Sequence, residues 1–281
     1  MSMLNLGVDS AIAIAERRAG KPLAGQWSGR PQVMLERALF ALKSSTWFVV
    51  LSGFFEPVFY LLSFGLGLGA LIGGVTDGNG NAVSYAAYIA PALLATSAMN
   101  GAIYDSTWNV FFKMHFAKLY QSILSTSTGS LDVALGEIAW ALLRGLAYAI
   151  GFMLVVAPMG LIPSWWGLLA IPGAVLVAFG FASVGMGITS YLKSFQQMNW
   201  INFFMLPMFL FSGTFYPLSV YPDWIRIIVE CLPLYQGIEM IRMLTLGTIG
   251  WQLLGHVCYF LVMITLGLVF TTRRLTALFL R

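Results

Sequence analysis

Side chains able to do covalent chemistry are few and badly placed for it. His115 and His256 lack any H-E-x-x-H arrangement, and Cys231 and Cys258 form neither a metal-ligand pair nor a spacing that supports a disulfide. No G-x-S-x-G elbow presents a nucleophile. None of the five lysines sits in a G-x-x-x-x-G-K-[ST] phosphate loop, so any ATP hydrolysis must come from another chain. The run Gly65-Leu66-Gly67-Leu68-Gly69 continues an apolar helix instead of following a strand, which argues against a dinucleotide loop. Gly65, Gly69 and Gly73 recur every four residues, as do Ala174, Ala178 and Ala182, and small residues at that spacing let helices approach closely in lipid.

The polar residues that stand out are isolated charges in apolar surroundings. Glu56 lies in the first apolar run, directly before Pro57, and a carboxylate there costs on the order of 3 kcal/mol on insertion scales unless it faces protein or water. It is a candidate for a transport path or a subunit seam, or else a buried carboxyl satisfied by a neighbouring helix. Glu137 and Arg144 are seven residues apart, about 10 Å of helical rise, so each needs a partner elsewhere. Glu137 sits near the end of its span and requires no special role; Arg144 calls for a bond to another span. Aromatic residues gather around Phe59 in the first run and around Phe204 and Phe211 in the fifth. Mostly they suit packing and lipid contact; together Phe59, Phe204 and Phe211 are candidates, like Glu56, for a transport path or a subunit seam, an apolar route good for a lipidic or aromatic substrate and poor for ions.

The elements that carry these residues follow from composition. The 281-residue chain is 59% apolar and 9% charged, with a mean hydropathy of +0.82. Soluble domains carry roughly 25% charged residues, so the solvent for most of this chain is lipid. About 20 apolar residues are needed per crossing. Six spans are expected: about 47–72, 85–104, 133–157, 165–191, 199–217 and 251–271. Residues 1–46 form a tail, in which Leu35, Leu39 and Leu42 make one stripe of an interfacial amphipathic helix. Residues 275–281 form a second tail. With the N-terminus inside, the inner segments hold twelve basic residues, from Arg17 to Arg281, and the outer loops only Arg226 and Arg242. The formal charge of +4 is therefore a topology signal, not an affinity for nucleic acid, and both termini are expected to be cytoplasmic. In the third outer loop Pro222 and Asp223 start one short helix, Pro233 breaks it, and a second runs from Tyr235 to about Leu246, ending near Gly247. Both are too short and too charged to cross, and suit an outer-leaflet position shielded by protein.

One inner loop is sizeable. Its stretch from Phe111 to Gln121 is basic and aromatic, and offers Phe112, Lys113, Phe116, Lys118 and Tyr120 as a docking surface for a partner. The other reading of it is a segment lying on the membrane.

The outer sequence Phe211-Ser212-Gly213-Thr214-Phe215-Tyr216-Pro217-Leu218, then Leu232-Pro233-Leu234-Tyr235 and Arg242, resembles the signature of ATP-binding-cassette type-2 export permeases of the nodulation-factor and daunorubicin-type drug exporter kind. Glu56-Pro57 with Phe59-Tyr60, Ile89-Ala90-Pro91, and Gly136-Glu137 with Arg144-Gly145 extend the likeness over about Arg37 to Arg274. The resemblance implies an all-α integral membrane protein with six spans, in the bacterial inner membrane. It implies a permease subunit that pairs with a second permease and two ATPase subunits. ATP and Mg would then bind on the ATPase, with no cofactor in this chain, and the loop after the second span would carry a coupling helix. Lipo-oligosaccharide, glycolipid and hydrophobic drug all fit as cargo. The alternative is a self-sufficient secondary transporter or channel, which usually shows repeated halves with matching broken helices; no such repeat is visible.

The topology is open to direct measurement. With Cys231 replaced by Ser, Asp223→Cys should react with an impermeant thiol reagent added outside intact cells. Labelling only after permeabilisation would reverse the orientation.

Overall fold

The computed structural model describes residues 27, 29, 31–43, 55–72, 74–76, 82–125 and 128–279. The expected tail before residue 27, the start of the first span at 47–54, Gly73, and the polar turn at 77–81 lie outside them. Helix α1 (Pro31–Lys43) precedes α2 (Phe55–Ile72), and two short antiparallel strands, β1 (Gly74–Thr76) and β2 (Ala82–Ser84), flank the first turn. Then come α3 (Tyr85–His115), α4 (Leu119–Leu124), α5 (Ser130–Val156) and α6 (Trp165–Thr189). The chain ends with α7 (Asn199–Phe211), α8 (Asp223–Cys231), α9 (Pro233–Leu246) and α10 (Gln252–Phe279). The structure is all-α apart from the small ribbon.

Among the described residues five helices, α2, α3, α5, α6 and α10, are long and apolar enough to cross a membrane. The stretch expected to be the fifth span is helical only over the 13 residues of α7. That is about 20 Å of helix against a hydrocarbon core of about 30 Å. Beyond Phe211 the chain turns irregular, through Gly213 at a φ of 69°. The second span differs too: its helix does not stop at Tyr104 but continues through a π turn, Asp105–Asn109, to His115. The two outer-loop helices form as expected, except that Pro233 begins α9 rather than merely ending α8. Gly247 ends α9 at a φ of 77°, the left-handed cap that a glycine adopts at least cost.

Helix α3 is the axis of the bundle. Of the 20 residues in Tyr85–Tyr104, 18 are buried, and seven are alanine. Such a helix is apolar on every side because it is enclosed on every side. Its small residues allow α2, α5, α6 and α9 to pack directly on it. Gly65 of α2 illustrates the approach: a Cβ there would lie 3.2 Å from Cβ of Ala86. Ala174, Ala178 and Ala182 of α6 are all fully buried, and a Cβ on Gly145 of α5 would come within 3.2 Å of Ala178.

The closest backbone approach joins α6 and α10. A Cβ on Gly267 would sit 2.7 Å from the backbone carbonyl carbon of Ser183 and 2.8 Å from the Val184 nitrogen. Backbone cannot yield as a flexible side chain can. Gly267→Ala should therefore force the helices apart and destabilise the protein by about 1–3 kcal/mol. Gly255→Ala, on the same helix but with open space around it, should leave the thermal midpoint unchanged or slightly higher. Equal midpoints for the two variants would refute this packing.

Candidate functional site

Three groups of polar residues are set into the apolar bundle. The first lines a cavity of about 810 Å³ between α2, α3, α5 and α7. Glu56 and Tyr60 enter it from α2, Asn100 and Tyr104 from α3, Arg144 from α5, and Asn202 and Phe209 from α7. Glu56 is solvent-exposed in the single chain, so the cavity opens on its side. Arg144 is held in place by Asp105, whose Oδ2 lies 2.9 Å from the Arg144 Nε. Asp105 Oδ1 in turn accepts from Asn109 Nδ2 at 2.5 Å.

The second group lies at the end of the bundle where the basic residues collect. His115 reaches the Leu192 carbonyl at 3.0 Å, Phe111 and Trp108 pack on Phe195, and Arg274 stacks over Tyr191 at 4.3 Å. The positive charges that are distant in sequence are thus brought to one end. There Lys113 Nζ meets Glu137 Oε2 at 2.5 Å, and Arg37 of α1 stands 3.8 Å from the other oxygen of that carboxylate. Met34 of α1 is buried beside Gly136, where a Cβ would be 2.3 Å from that of Met34. Helix α1 therefore docks on α5 rather than lying free on the interface. Phe112 and Phe116 project outward, stacked at 5.5 Å, and the turn after them passes through Lys118 at a φ of 48°.

The third group closes the opposite end. Arg242 of α9 is buried; it donates through Nη2 to the Gly213 carbonyl at 3.0 Å, pairs with Glu239, and lies 4.1 Å from the centre of the Tyr88 ring. The Tyr88 hydroxyl also donates to Gly213 O, and that of Tyr85 donates to Phe215 O. Donors from α3 and α9 thus satisfy the irregular backbone after α7.

The family model described as ABC-2 type transporter matches residues 32–246. The chain belongs to the ABC-2 type transporter family. Similar proteins include Nodulation protein J of Sinorhizobium fredii (strain NBRC 101917 / NGR234), 34% identical over 81% of this chain and 86% of the relative. Nodulation protein J of Rhizobium meliloti (strain 1021) is 31% identical over 80% of this chain and 86% of its own. That of Rhizobium leguminosarum bv. viciae is 32% identical over 79% and 83%. The protein is thus the membrane permease subunit of an ABC exporter, multi-pass in the bacterial inner membrane, and works with an ABC ATPase subunit. The alternative of a self-sufficient transporter or channel gives way to this membership.

The expected site residues of this ABC-2 permease do not all meet. Glu56 reaches the cavity, but Phe59, Phe204 and Phe211 lie outside its lining on the exposed surface. Of the docking residues, Phe112, Phe116 and Lys118 are exposed. Lys113 is turned inward to Glu137, and Tyr120 is wholly buried, so neither is placed to meet a partner as expected. Burial, reinforced by the Glu137 charge, pushes the Tyr120 phenol well above its usual pKa. Asp105 was missed altogether because the second span was expected to end one residue before it. The signal was Arg144: a guanidinium at that depth requires an acid, and Asp105 is the acid on the enclosed helix. Glu137, expected to need no role, is a buried two-sided carboxylate.

The two aromatic positions therefore separate. Tyr120→Ala empties a filled core site and should cost about 3–5 kcal/mol, the range for large core rings, read as a lower thermal midpoint. Phe116→Ala, with 63% of its residue surface exposed, should leave the midpoint unchanged yet weaken recovery of the ATPase on purification. Loss of stability in both would place the docking face elsewhere.

Proposed function

We propose that this permease moves an amphiphile outward, using ATP bound with Mg on a separate ATPase, and that the working complex holds two permease chains and two ATPase chains. The carrying observation is the cavity of about 810 Å³ with Glu56 at its open side. Ligand sites of about 300–1,000 Å³ take drug-sized groups, so the cavity has room for a headgroup or a compact drug. Its walls mix aromatic rings with amides and hydroxyls, which suits a substrate with a polar part and an apolar part. Lipo-oligosaccharide, glycolipid and hydrophobic drug meet that description, and relatives carrying the name Nodulation protein J favour the first.

Helix α7 has no buried residue, and Trp200, Phe203 and Phe204 all face outward. With the exposed Phe55 and Phe59 of α2 it forms an aromatic surface beside the cavity mouth. A second identical permease seated there would close the cavity into a path between subunits, with both termini in the cytoplasm. The outward Phe112–Phe116 pair and Lys118 then form the surface that the ATPase engages, apolar anchors supplying most of the contact energy and the charge tuning approach.

Deletion of the chain should leave one class of amphiphile inside the cell, identified by comparing lipid extracts of cells and spent medium. Glu56→Gln should fail to restore its release while the complex still purifies with two ATPase chains, because size is kept and only the ionisable group is lost. Normal release by Glu56→Gln would take Glu56 off the path. Release that needs no ATPase would overturn the whole reading.

A further inference from the structure

Two ion pairs join α3 to α5 inside the bundle, Asp105 to Arg144 at 2.9 Å and Lys113 to Glu137 at 2.5 Å. The helices are antiparallel, and the pairs fall in register: eight residues separate the charges on α3, seven on α5. The π turn Asp105–Asn109 accommodates the odd residue, since an i→i+5 turn takes in one more than an α turn. The two pairs are therefore rungs of one ladder, about 10 Å apart along α5. Their polarity alternates. Asp105 faces a base and Lys113 an acid, so a slide that brought Asp105 against Glu137 would oppose like charges. Only one register satisfies both rungs.

Each rung ends at a different functional place. Arg144 borders the cavity. Lys113 follows the outward-facing Phe112, and its partner Glu137 faces Arg37 of the docked α1 across 3.8 Å. Between the rungs Asn109 bonds Asp105 at 2.5 Å. Buried ion pairs are poor stabilisers against apolar residues of the same size, and ionisable groups at membrane depth commonly mark function. Packing alone would be served as well by leucines.

We propose that the two rungs form a single relay, in which movement of the ATPase-facing turn is passed through Lys113–Glu137 and Asn109–Asp105 to the position of Arg144 at the cavity wall. Glu137 and Asp105 are positioning residues: neither needs to touch substrate. The relay rests on the permease reading above.

The test needs no substrate. The complex of this chain with its ATPase is placed in lipid nanodiscs, with Cys231 and Cys258 replaced by Ser and Asn100→Cys in the cavity wall. A fluorescent maleimide reports how fast that cysteine reacts with and without ATP plus vanadate. The relay predicts a nucleotide-dependent change in rate that Glu137→Gln and Asp105→Asn each reduce about tenfold in complexes that still assemble and hydrolyse ATP. The double variant should respond like either single, because serial steps fail once, whereas independent sites give effects that multiply. A full response in Glu137→Gln, or multiplied losses in the double variant, overturns the relay. If Glu137→Gln does not assemble, Lys113→Gln, which leaves Glu137 its Arg37 partner, takes its place and should assemble with the same reduced response; a full response in Lys113→Gln, or its failure to assemble, also overturns the relay. A wild-type complex that recovers no ATPase would instead remove the permease reading, and the relay with it.

Discussion

Lipid tails are as apolar as leucine, so a bundle of apolar helices gains almost nothing in a bilayer merely by closing on itself. Cohesion has to come from how near the backbones can be brought and from polar groups that find each other. This chain uses both, and it concentrates them on α3. The alanines along Tyr85–Tyr104 remove the bulk that would hold neighbours away, and the polar residues that follow, from Asp105 to Lys113, supply partners for charges on α5. One helix is therefore both the packing centre and the charge partner. The cavity belongs to the same arrangement: it lies where α7, shorter than the five crossing helices and without a buried residue, faces α2, α3 and α5.

Much of this was legible in the sequence, and the boundary between what was and was not is physical. Hydropathy located the apolar helices because crossing length is a property of a single segment. The small-residue periodicity of Gly65, Ala174, Ala178 and Ala182 announced close packing, and each is tightly enclosed. Turn chemistry was equally readable: Asp223 opens α8 and Gly247 caps α9. Arg144 could be said to need a partner on another span, because its charge is intolerable alone.

Which partner it takes was not readable, since that depends on the register between two helices, and a π turn shifts that register by a residue that no periodicity marks. The same applies to Tyr120 and Lys113. Amphipathic spacing placed them beside Phe112 and Phe116, yet the turn through Lys118 rotates Tyr120 inward while the two phenylalanines remain outside. Surface and core here differ by one backbone conformation. Likewise Phe59, Phe204 and Phe211 share the composition of the path without sharing its wall, because composition fixes the helix but not the direction in which each ring points.

The irregular stretch after α7 carries a consequence for biogenesis. Its carbonyl groups at Gly213 and Phe215 are satisfied by Tyr85 and Tyr88, made long before it, and by Arg242, made 29 residues after Gly213. A ribosome feeding this chain into the membrane delivers α7 with its trailing backbone still lacking that arginine. Until α9 arrives, those groups can be hydrated only if the segment waits near the aqueous boundary or within the insertion machinery. Helix α7 is thus expected to settle late and out of sequence order, after α9 has folded back to meet it. The last part of the bundle to be completed would then be the wall of the cavity itself.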